Sequence, residues 1–179
     1  MTSSMEQLYQ QVILDHARAP HGRGLVAAPA GVLAGESHQV NPTCGDEVTL
    51  RVTLDAAPGA VPVVEGVSWE GQGCSISQAS VSVLTDLVTG ADLTTVDDLS
   101  ETFRALMHAR GAGLDEEREE SLGDATAFTG VAKYPARIKC ALLGWAALKD
   151  AIAKSGAAAA VPATAGPVLA GPAHTKEQA

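Results

Sequence analysis

The chain has 179 residues, a length that suits one domain able to bury its own core without staples. It carries 12 lysines and arginines against 21 aspartates and glutamates, and this net charge of −9 disfavours a nucleic-acid partner. No apolar run approaches the roughly 20 residues that span a bilayer. The three cysteines form no disulfide framework and, without a secretory signal, they predict a reducing cytoplasm and metal or thiol chemistry.

The first half of the chain predicts one helix followed by a small antiparallel sheet. Apolar residues at helical spacing predict a helix over 4–18 with Ser4 as its N-cap. Residues 36–40 predict a short strand. Residues 47–54 alternate apolar and polar side chains, which is typical of a half-buried antiparallel strand, and 61–69 return as its hairpin partner. The apolar residues that set the helical spacing are Leu8, Val12, Ile13 and Leu14.

The second half of the chain predicts helices. Apolar spacing indicates helices over 75–89 and 94–109, with an acidic loop or short helix after them. Proline in the first turn opens a long last helix over 135–154. We therefore expect an α+β fold, a small antiparallel β-sheet packed against several α-helices, over residues 1–154. Residues 155–179 are rich in Ala, Pro and Gly without periodicity and predict a disordered tail.

Three cysteines and one aspartate are candidate metal ligands. In residues 41–46 (NPTCGD) the thiol of Cys44 and the carboxylate of Asp46 stand two residues apart, and a turn at the glycine between them lets both point at one spot. Cys74 falls at a predicted helix N-terminus, where free N–H groups and the helix dipole favour a thiolate. With Cys140, these side chains make a complete tetrahedral set for zinc.

Each of these residues also has a simpler interpretation. Cys74 is equally consistent with a small buried residue near a helix cap. Arg137 shares a helix face with the third cysteine and could stabilise a thiolate, although a lone exposed arginine more often pairs with a carboxylate. His16 is expected to pack or cap rather than bind metal, whereas His38 is kept in reserve as a substitute ligand. The glycines at 71 and 73 lack the length and lysine of a phosphate-binding loop.

Four ordered motifs carry a resemblance to a known family. They are LYQQVILDH at 8–16, NPTCGD at 41–46, GQGCSIS at 71–77 and PARIKC at 135–140. Together they resemble the U-type (IscU/NifU N-terminal-like) iron–sulfur cluster assembly proteins, and within them the SufU branch.

The resemblance implies a zinc-dependent sulfurtransferase in iron–sulfur cluster biogenesis. It places zinc ligands on Cys44, Asp46, Cys74 and Cys140, the sulfur-accepting thiol on Cys44, and the arginine of the SufU branch on Arg137. The implied partner is a SufS-type cysteine desulfurase, a pyridoxal-phosphate enzyme, with an iron–sulfur assembly scaffold downstream. We hypothesise a zinc-ligand exchange in which a desulfurase side chain, a histidine by resemblance, displaces Cys44, and the freed thiolate attacks the enzyme persulfide.

Two departures from the classical scaffold branch favour sulfur transfer over cluster assembly. That branch has a histidine directly before the third cysteine, where this chain has Lys139, and a Pro-Pro-Val-Lys chaperone motif, where this chain reads PARI at 135–138. Two alternatives stay open: a scaffold that builds an iron–sulfur cluster on the same ligands, and a zinc-stabilised interaction module without chemistry.

Overall fold

The computed structural model describes residues 3–157 and has the α+β fold that the sequence predicts. Three antiparallel strands lie in the order β1-β2-β3, with helices packed against the sheet. Within the described residues the elements are α1 (Ser4–Arg18), β1 (Leu33–Asn41), β2 (Asp46–Asp55), β3 (Val63–Gln72), α2 (Ser75–Val88), α3 (Leu93–His108), α4 (Glu116–Leu122), a 3₁₀ helix (Gly123–Lys133) and α5 (Pro135–Ser155).

The central strand β2 follows from its alternating sequence. Its apolar residues at 48, 50, 52 and 54 are at most 3 % exposed, while Thr49 and Arg51 lie on the other face. The β1–β2 hairpin closes with Asn41 opposite Asp46, and β3 pairs along the other edge of β2. β1 begins at Leu33, earlier than predicted. The sheet therefore brings the end of β1, the start of β2 and the end of β3 to one edge of the domain.

The long helix α5 lies directly on the sheet. A Cβ atom at Gly35 of β1 would collide with the backbone carbonyl of Ala151, so only glycine permits this approach. Trp145 of α5 stacks on Phe103 of α3 with ring centroids 4.7 Å apart. Phe103 also meets Phe128 of the 3₁₀ helix edge-on, with centroids 5.7 Å apart. Such pairs add to the large apolar area that aromatic side chains bury. The packing fixes α5, and every side chain it carries, relative to the β1–β2 hairpin.

Helix α1 departs from the sequence prediction in two details. Its N-cap is Ser3 rather than Ser4, because Ser3 and Glu6 form a reciprocal capping box. Part of its apolar stripe also stays exposed to solvent, since Leu8 is 57 % and Leu14 41 % exposed, whereas His16 is the buried residue of the helix. A hydrogen-bond partner on α2 makes this polar burial possible, as described below.

The end of the last helix agrees with the prediction to within one residue. α5 runs to Ser155, and Gly156 follows in a left-handed conformation (φ 79°) that ends it. The predicted tail lies almost wholly outside the described residues, which stop at 157, so its disorder stays a prediction. Within residues 3–157, no helix is both long and apolar enough to cross a membrane.

Candidate metal centre

The tip of the β1–β2 hairpin presents Cys44 to solvent. The side chain of Asn41 accepts a hydrogen bond from the Thr43 N–H at 3.1 Å, and the backbone carbonyl of Asn41 accepts one from the Gly45 N–H at 2.8 Å. Gly45 has φ 74°, a value that glycine adopts without cost. Cys44 is exposed, whereas Asp46 is 4 % exposed. The glycine turn therefore brings an accessible thiol and a buried carboxylate to one place, as the C-x-D spacing predicts.

Cys74 meets the same carboxylate from the other side. It is the N-cap of α2, its N–H donates to Asp46 Oδ1 at 3.2 Å, and its thiol lies 3.3 Å from Asp46 Oδ2. The glycine before it is essential to this contact, since a Cβ atom on Gly73 would lie 2.7 Å from Asp46 Cγ. The carboxylate of Asp46 thus accepts a hydrogen bond from the N–H of the N-cap residue of α2 and also contacts the thiol of that residue, Cys74.

Cys140 completes the cluster from the first turns of α5. It is 1 % exposed, and its sulfur lies 3.5 Å from that of Cys44 and 3.9 Å from the amide nitrogen of Asn41. Ligand atoms of Cys44, Asp46 and Cys140 all lie within 4.8 Å of one another. Cys74 is attached to this group through Asp46. The fold therefore gathers three of the predicted side chains from the hairpin and α5, and brings Cys74 from the start of α2 against one of them, Asp46.

The distances suit a tetrahedral metal ion. Two thiolates on one zinc, with bonds of about 2.3 Å, stand about 3.8 Å apart, and a thiolate and a carboxylate oxygen about 3.5 Å apart. The Cys44–Cys140 sulfur separation is 3.5 Å, and the Cys74–Asp46 sulfur–oxygen separation is 3.3 Å. Both are a few tenths of an ångström shorter than these values, so small shifts of these pairs would admit an ion. Cys74 lies outside the group of ligand atoms within 4.8 Å of one another, so its thiol would have to move further towards the other two sulfurs. Three sulfurs and one carboxylate are also the donor types that zinc accepts.

The electrostatics of the cluster favour an added cation. Burial opposes ionisation of Asp46, but hydrogen bonds from the Cys74, Cys140 and Cys44 thiols and from the Cys74 N–H lower the pKa of its carboxyl. For Cys140, burial raises the thiol pKa well above its ordinary value, and the neighbouring Cys44 and Asp46 add to the effect. A divalent cation would reverse this penalty, because it stabilises the deprotonated thiol.

The other residues singled out from the sequence lie outside this group. Arg137 is exposed one turn before Cys140 on α5, and within residues 3–157 its guanidinium has no ion-pair partner. The alternative of a surface arginine paired with a carboxylate is thus not what the described residues show. His38 bonds Thr49 Oγ1 at 2.8 Å through Nδ1 and is not among the grouped ligand atoms.

Two contributors could not be singled out from the sequence. Asn41 both shapes the hairpin turn and donates to the sulfur of Cys140, and Gly73 leaves room for Asp46. In the sequence, Asn41 stands in an Asn-Pro pair before Cys44, and Gly73 ends a Gly-x-Gly stretch before Cys74. Both patterns indicate turns and do not by themselves indicate a contact with a ligand. The contacts become visible only when β1, β3 and α5 are placed together.

An α+β domain with a candidate metal-binding cluster at one edge of its sheet is the class that fold and site define. The family model of the NifU-like N terminal domain matches residues 8–141, and the chain belongs to this family. The resemblance drawn from the four motifs is therefore confirmed.

Individual relatives cover most of the chain. It is 39 % identical over 152 residues to the zinc-dependent sulfurtransferase SufU of Bacillus subtilis, covering 85 % of this chain and 94 % of that protein. It is 37 % identical over 153 residues to the iron–sulfur cluster assembly scaffold protein IscU of Streptococcus pyogenes, covering 86 % and 87 %. A solved structure of a putative iron–sulfur cluster assembly scaffold protein for the SUF system, from Fervidobacterium islandicum, is 32 % identical with a TM-score of 0.63, covering 84 % and 99 %.

Proposed function

We propose that this protein is a zinc-dependent sulfur acceptor in iron–sulfur cluster assembly, which takes sulfur onto Cys44 from the persulfide of a pyridoxal-phosphate cysteine desulfurase. The observation that carries the proposal is the unequal exposure of the clustered thiols: Cys44 is exposed, Cys74 intermediate and Cys140 buried. Cys44 is therefore the most open of the three to a bulky protein-bound persulfide. The name of the Bacillus subtilis relative, a zinc-dependent sulfurtransferase, supports the same activity.

We assign the zinc ligands to Cys44, Asp46, Cys74 and Cys140. Zinc held there would supply a redox-inert Lewis acid that keeps the thiols deprotonated without oxidising them. The chain's own part is to supply these donors from rigid elements, with Asp46 held by the start of α2. Cys44, by contrast, sits on a hairpin tip and can move without disturbing a strand or helix, as the ligand-exchange hypothesis requires.

The transfer itself is a thiol–persulfide exchange. The Cys44 thiolate attacks the outer sulfur of the donor persulfide, a new sulfur–sulfur bond forms on Cys44, and the bond to the donor cysteine breaks. The donor leaves as a thiolate, so the number of sulfur–sulfur bonds and of electrons is unchanged and no oxidant is needed. The product is a Cys44 persulfide and a regenerated desulfurase cysteine, with the sulfur ready for a downstream assembly scaffold.

Arg137 is assigned a positioning role in this exchange. Its guanidinium projects from the first turn of α5, one turn from Cys140, and carries a positive charge that no ion pair within residues 3–157 neutralises. A free cation one helical turn from Cys140 would stabilise the released Cys44 thiolate and attract an anionic persulfide.

The first test is the turnover of a cysteine desulfurase with and without this protein. Cys44→Ala is expected to abolish the stimulation of turnover and the appearance of a persulfide in mass spectra. Thr43→Ala, a change at the exposed neighbouring residue, is the matched control and is expected to behave as the wild type. Undiminished stimulation by Cys44→Ala would refute the acceptor role.

A second test separates Arg137 from the zinc site. Arg137→Ala is expected to retain the zinc content and melting temperature of the wild type while sulfur transfer slows. Arg137→Lys keeps the charge, and Lys139→Ala removes a charge from the neighbouring exposed position, so together they separate local charge from net charge. Unchanged transfer by Arg137→Ala would remove this residue from the mechanism.

A second candidate function is a scaffold that assembles an iron–sulfur cluster on the same side chains. The three converging thiols and the 37 % identity to the Streptococcus pyogenes scaffold protein favour it. Anaerobic supply of iron and sulfide decides between the two. A stable coloured cluster that passes to an apo-protein would support the scaffold, whereas retained zinc and no cluster would support sulfur transfer.

A further inference from the structure

A second group of metal-ligating side chains lies away from the cysteines, where α1 and the turn after it meet α2. Ligand atoms of His16, His21 and Asp86 all lie within 4.8 Å of one another. His16 is in the last turn of α1, His21 follows three residues after that helix, and Asp86 projects from α2. We propose that these three side chains form a binding site for a divalent first-row transition metal ion such as Zn²⁺.

The backbone that carries His21 is held on both sides. Its N–H donates to Ser82 Oγ of α2 at 2.8 Å, and its carbonyl accepts a hydrogen bond from the indole of the buried Trp69 at 2.8 Å. The next residue, Gly22, packs so closely that a Cβ atom there would lie 2.8 Å from a methyl carbon of Thr85. These contacts fix the turn against α2 and so hold the backbone of His21 next to the helix that carries Asp86.

His16 has the supporting contacts that metal-binding histidines use. Its Nδ1 lies 2.7 Å from Ser82 Oγ, and its Nε2 lies 3.6 Å from a carboxylate oxygen of Asp124. Whichever ring nitrogen binds an ion, the other therefore has a polar partner that fixes the orientation of the ring. Ser82 contacts both histidine residues, at the ring of one and the backbone of the other, and so couples their positions.

The separations are compatible with an ion after small movements. Nitrogen and oxygen ligands of a tetrahedral zinc, with bonds of about 2.0 Å, lie roughly 3.3 Å apart. The His21–Asp86 pair, at 2.6 Å in a hydrogen bond, would open by roughly 0.7 Å, and their half-exposed side chains are free to do so. An exposed ion pair would account for the contact between His21 and Asp86. It would not account for the ring of His16, whose centroid lies 5.1 Å from that of His21.

This site is separate from the cysteine cluster. From residue 74 at the N-cap of α2 to residue 86 is 12 residues, about 18 Å along the helix. Its donors are imidazoles and a carboxylate, without thiolate, so it suits a borderline ion and would bind less tightly than the cysteine cluster. The sequence indicates packing for His16, and the proposal adds a ligand role. The nearby carboxylates of Asp86 and Asp124 match the charge of a divalent ion.

The experiment titrates Co²⁺ and Zn²⁺ into the full-length protein whose cysteine cluster already holds one equivalent of zinc. A second equivalent is expected by calorimetry, and with Co²⁺ it should give visible ligand-field bands without a sulfur-to-cobalt charge-transfer band. His21→Ala and Asp86→Asn, both at exposed positions, are expected to weaken the second equivalent at least tenfold and leave the first unchanged. His108→Ala, at an exposed histidine on α3, is the matched control.

The ring nitrogens of the histidines give a second readout beside the binding titration. Ring ¹⁵N shifts of His16 and His21 are expected to move together on the second addition, whereas those of His108 stay fixed. Failure of the wild type to take up a second equivalent, or its retention at unchanged affinity in both His21→Ala and Asp86→Asn, would overturn the proposal. A failure of zinc at the cysteines would instead appear in the first equivalent, so the two sites are judged separately.

Discussion

Gly73→Ala tests whether Asp46 is a zinc ligand. A methyl group at residue 73 would lie 2.7 Å from Asp46 Cγ and 2.6 Å from Ser77 Oγ, whereas ordinary contacts begin near 3.4 Å. Ser77 can rotate away, but Asp46 is 4 % exposed and held by the N–H of Cys74. The backbone φ of residue 73 is not in the left-handed region, so alanine brings steric displacement without backbone strain.

The size of the effect follows from these distances. The carboxylate of Asp46 must retreat by about 0.7 Å, the difference between 3.4 Å and 2.7 Å. Metal–ligand distances tolerate about 0.2 Å, so this ligand would be lost or badly placed. We expect zinc affinity to fall at least tenfold, which corresponds to about 1.4 kcal/mol. The fold should survive, since a lost hydrogen bond to a charged group costs about 1.5–3 kcal/mol.

The assay is competition for zinc with a chromophoric chelator, together with urea unfolding of the metal-free protein. Gly130→Ala is the matched control, because a Cβ atom there meets nothing within 4 Å. If Gly73→Ala bound zinc as tightly as Gly130→Ala while both remained folded, Asp46 would not be a ligand, and the zinc site would have to be reassigned.

Three further predictions concern the packing and the thiols. Phe103→Ala removes a fully buried ring from the stack with Trp145 and is expected to lower the free energy of unfolding by about 3–5 kcal/mol in urea titrations; a loss below 1 kcal/mol would contradict that packing. Gly35→Ala should abolish stable folding, seen as insoluble protein or a large fall in melting temperature, because β1 and α5 touch through their backbones; a wild-type melt would refute this contact. In metal-free protein, alkylation followed by mass spectrometry should label Cys44 first and Cys140 last, because burial raises the pKa of the latter thiol, and the reverse order would contradict the exposures.

Periodic stretches of the sequence predicted their elements well. The alternation over 47–54 produced the central strand with its apolar residues inside, and the proline at 135 opened the long helix as expected. The start of β1 was missed because 24–35 mixes glycine, alanine and proline without a period, so only pairing with β2 defines that strand. For α1, spacing predicted the helix, but Leu8 and Leu14 of its apolar stripe stay exposed. His16 packs, as expected from the sequence, through a contact with Ser82 on a distant helix.

The sequence by itself determined the family and the α+β class and pointed to four side chains as candidate zinc ligands, because these depend on local patterns and on a few chemically distinctive residues. Only the tertiary structure decided which atoms meet. Cys44 and Cys140 are 96 residues apart, yet their sulfurs lie 3.5 Å from each other, since α5 packs against the hairpin that carries the first of them. His21 and Asp86 also share no sequence motif. Their side chains meet because the turn that carries His21 packs against α2. Contacts of this kind arise from long-range packing, which no local pattern in the chain encodes.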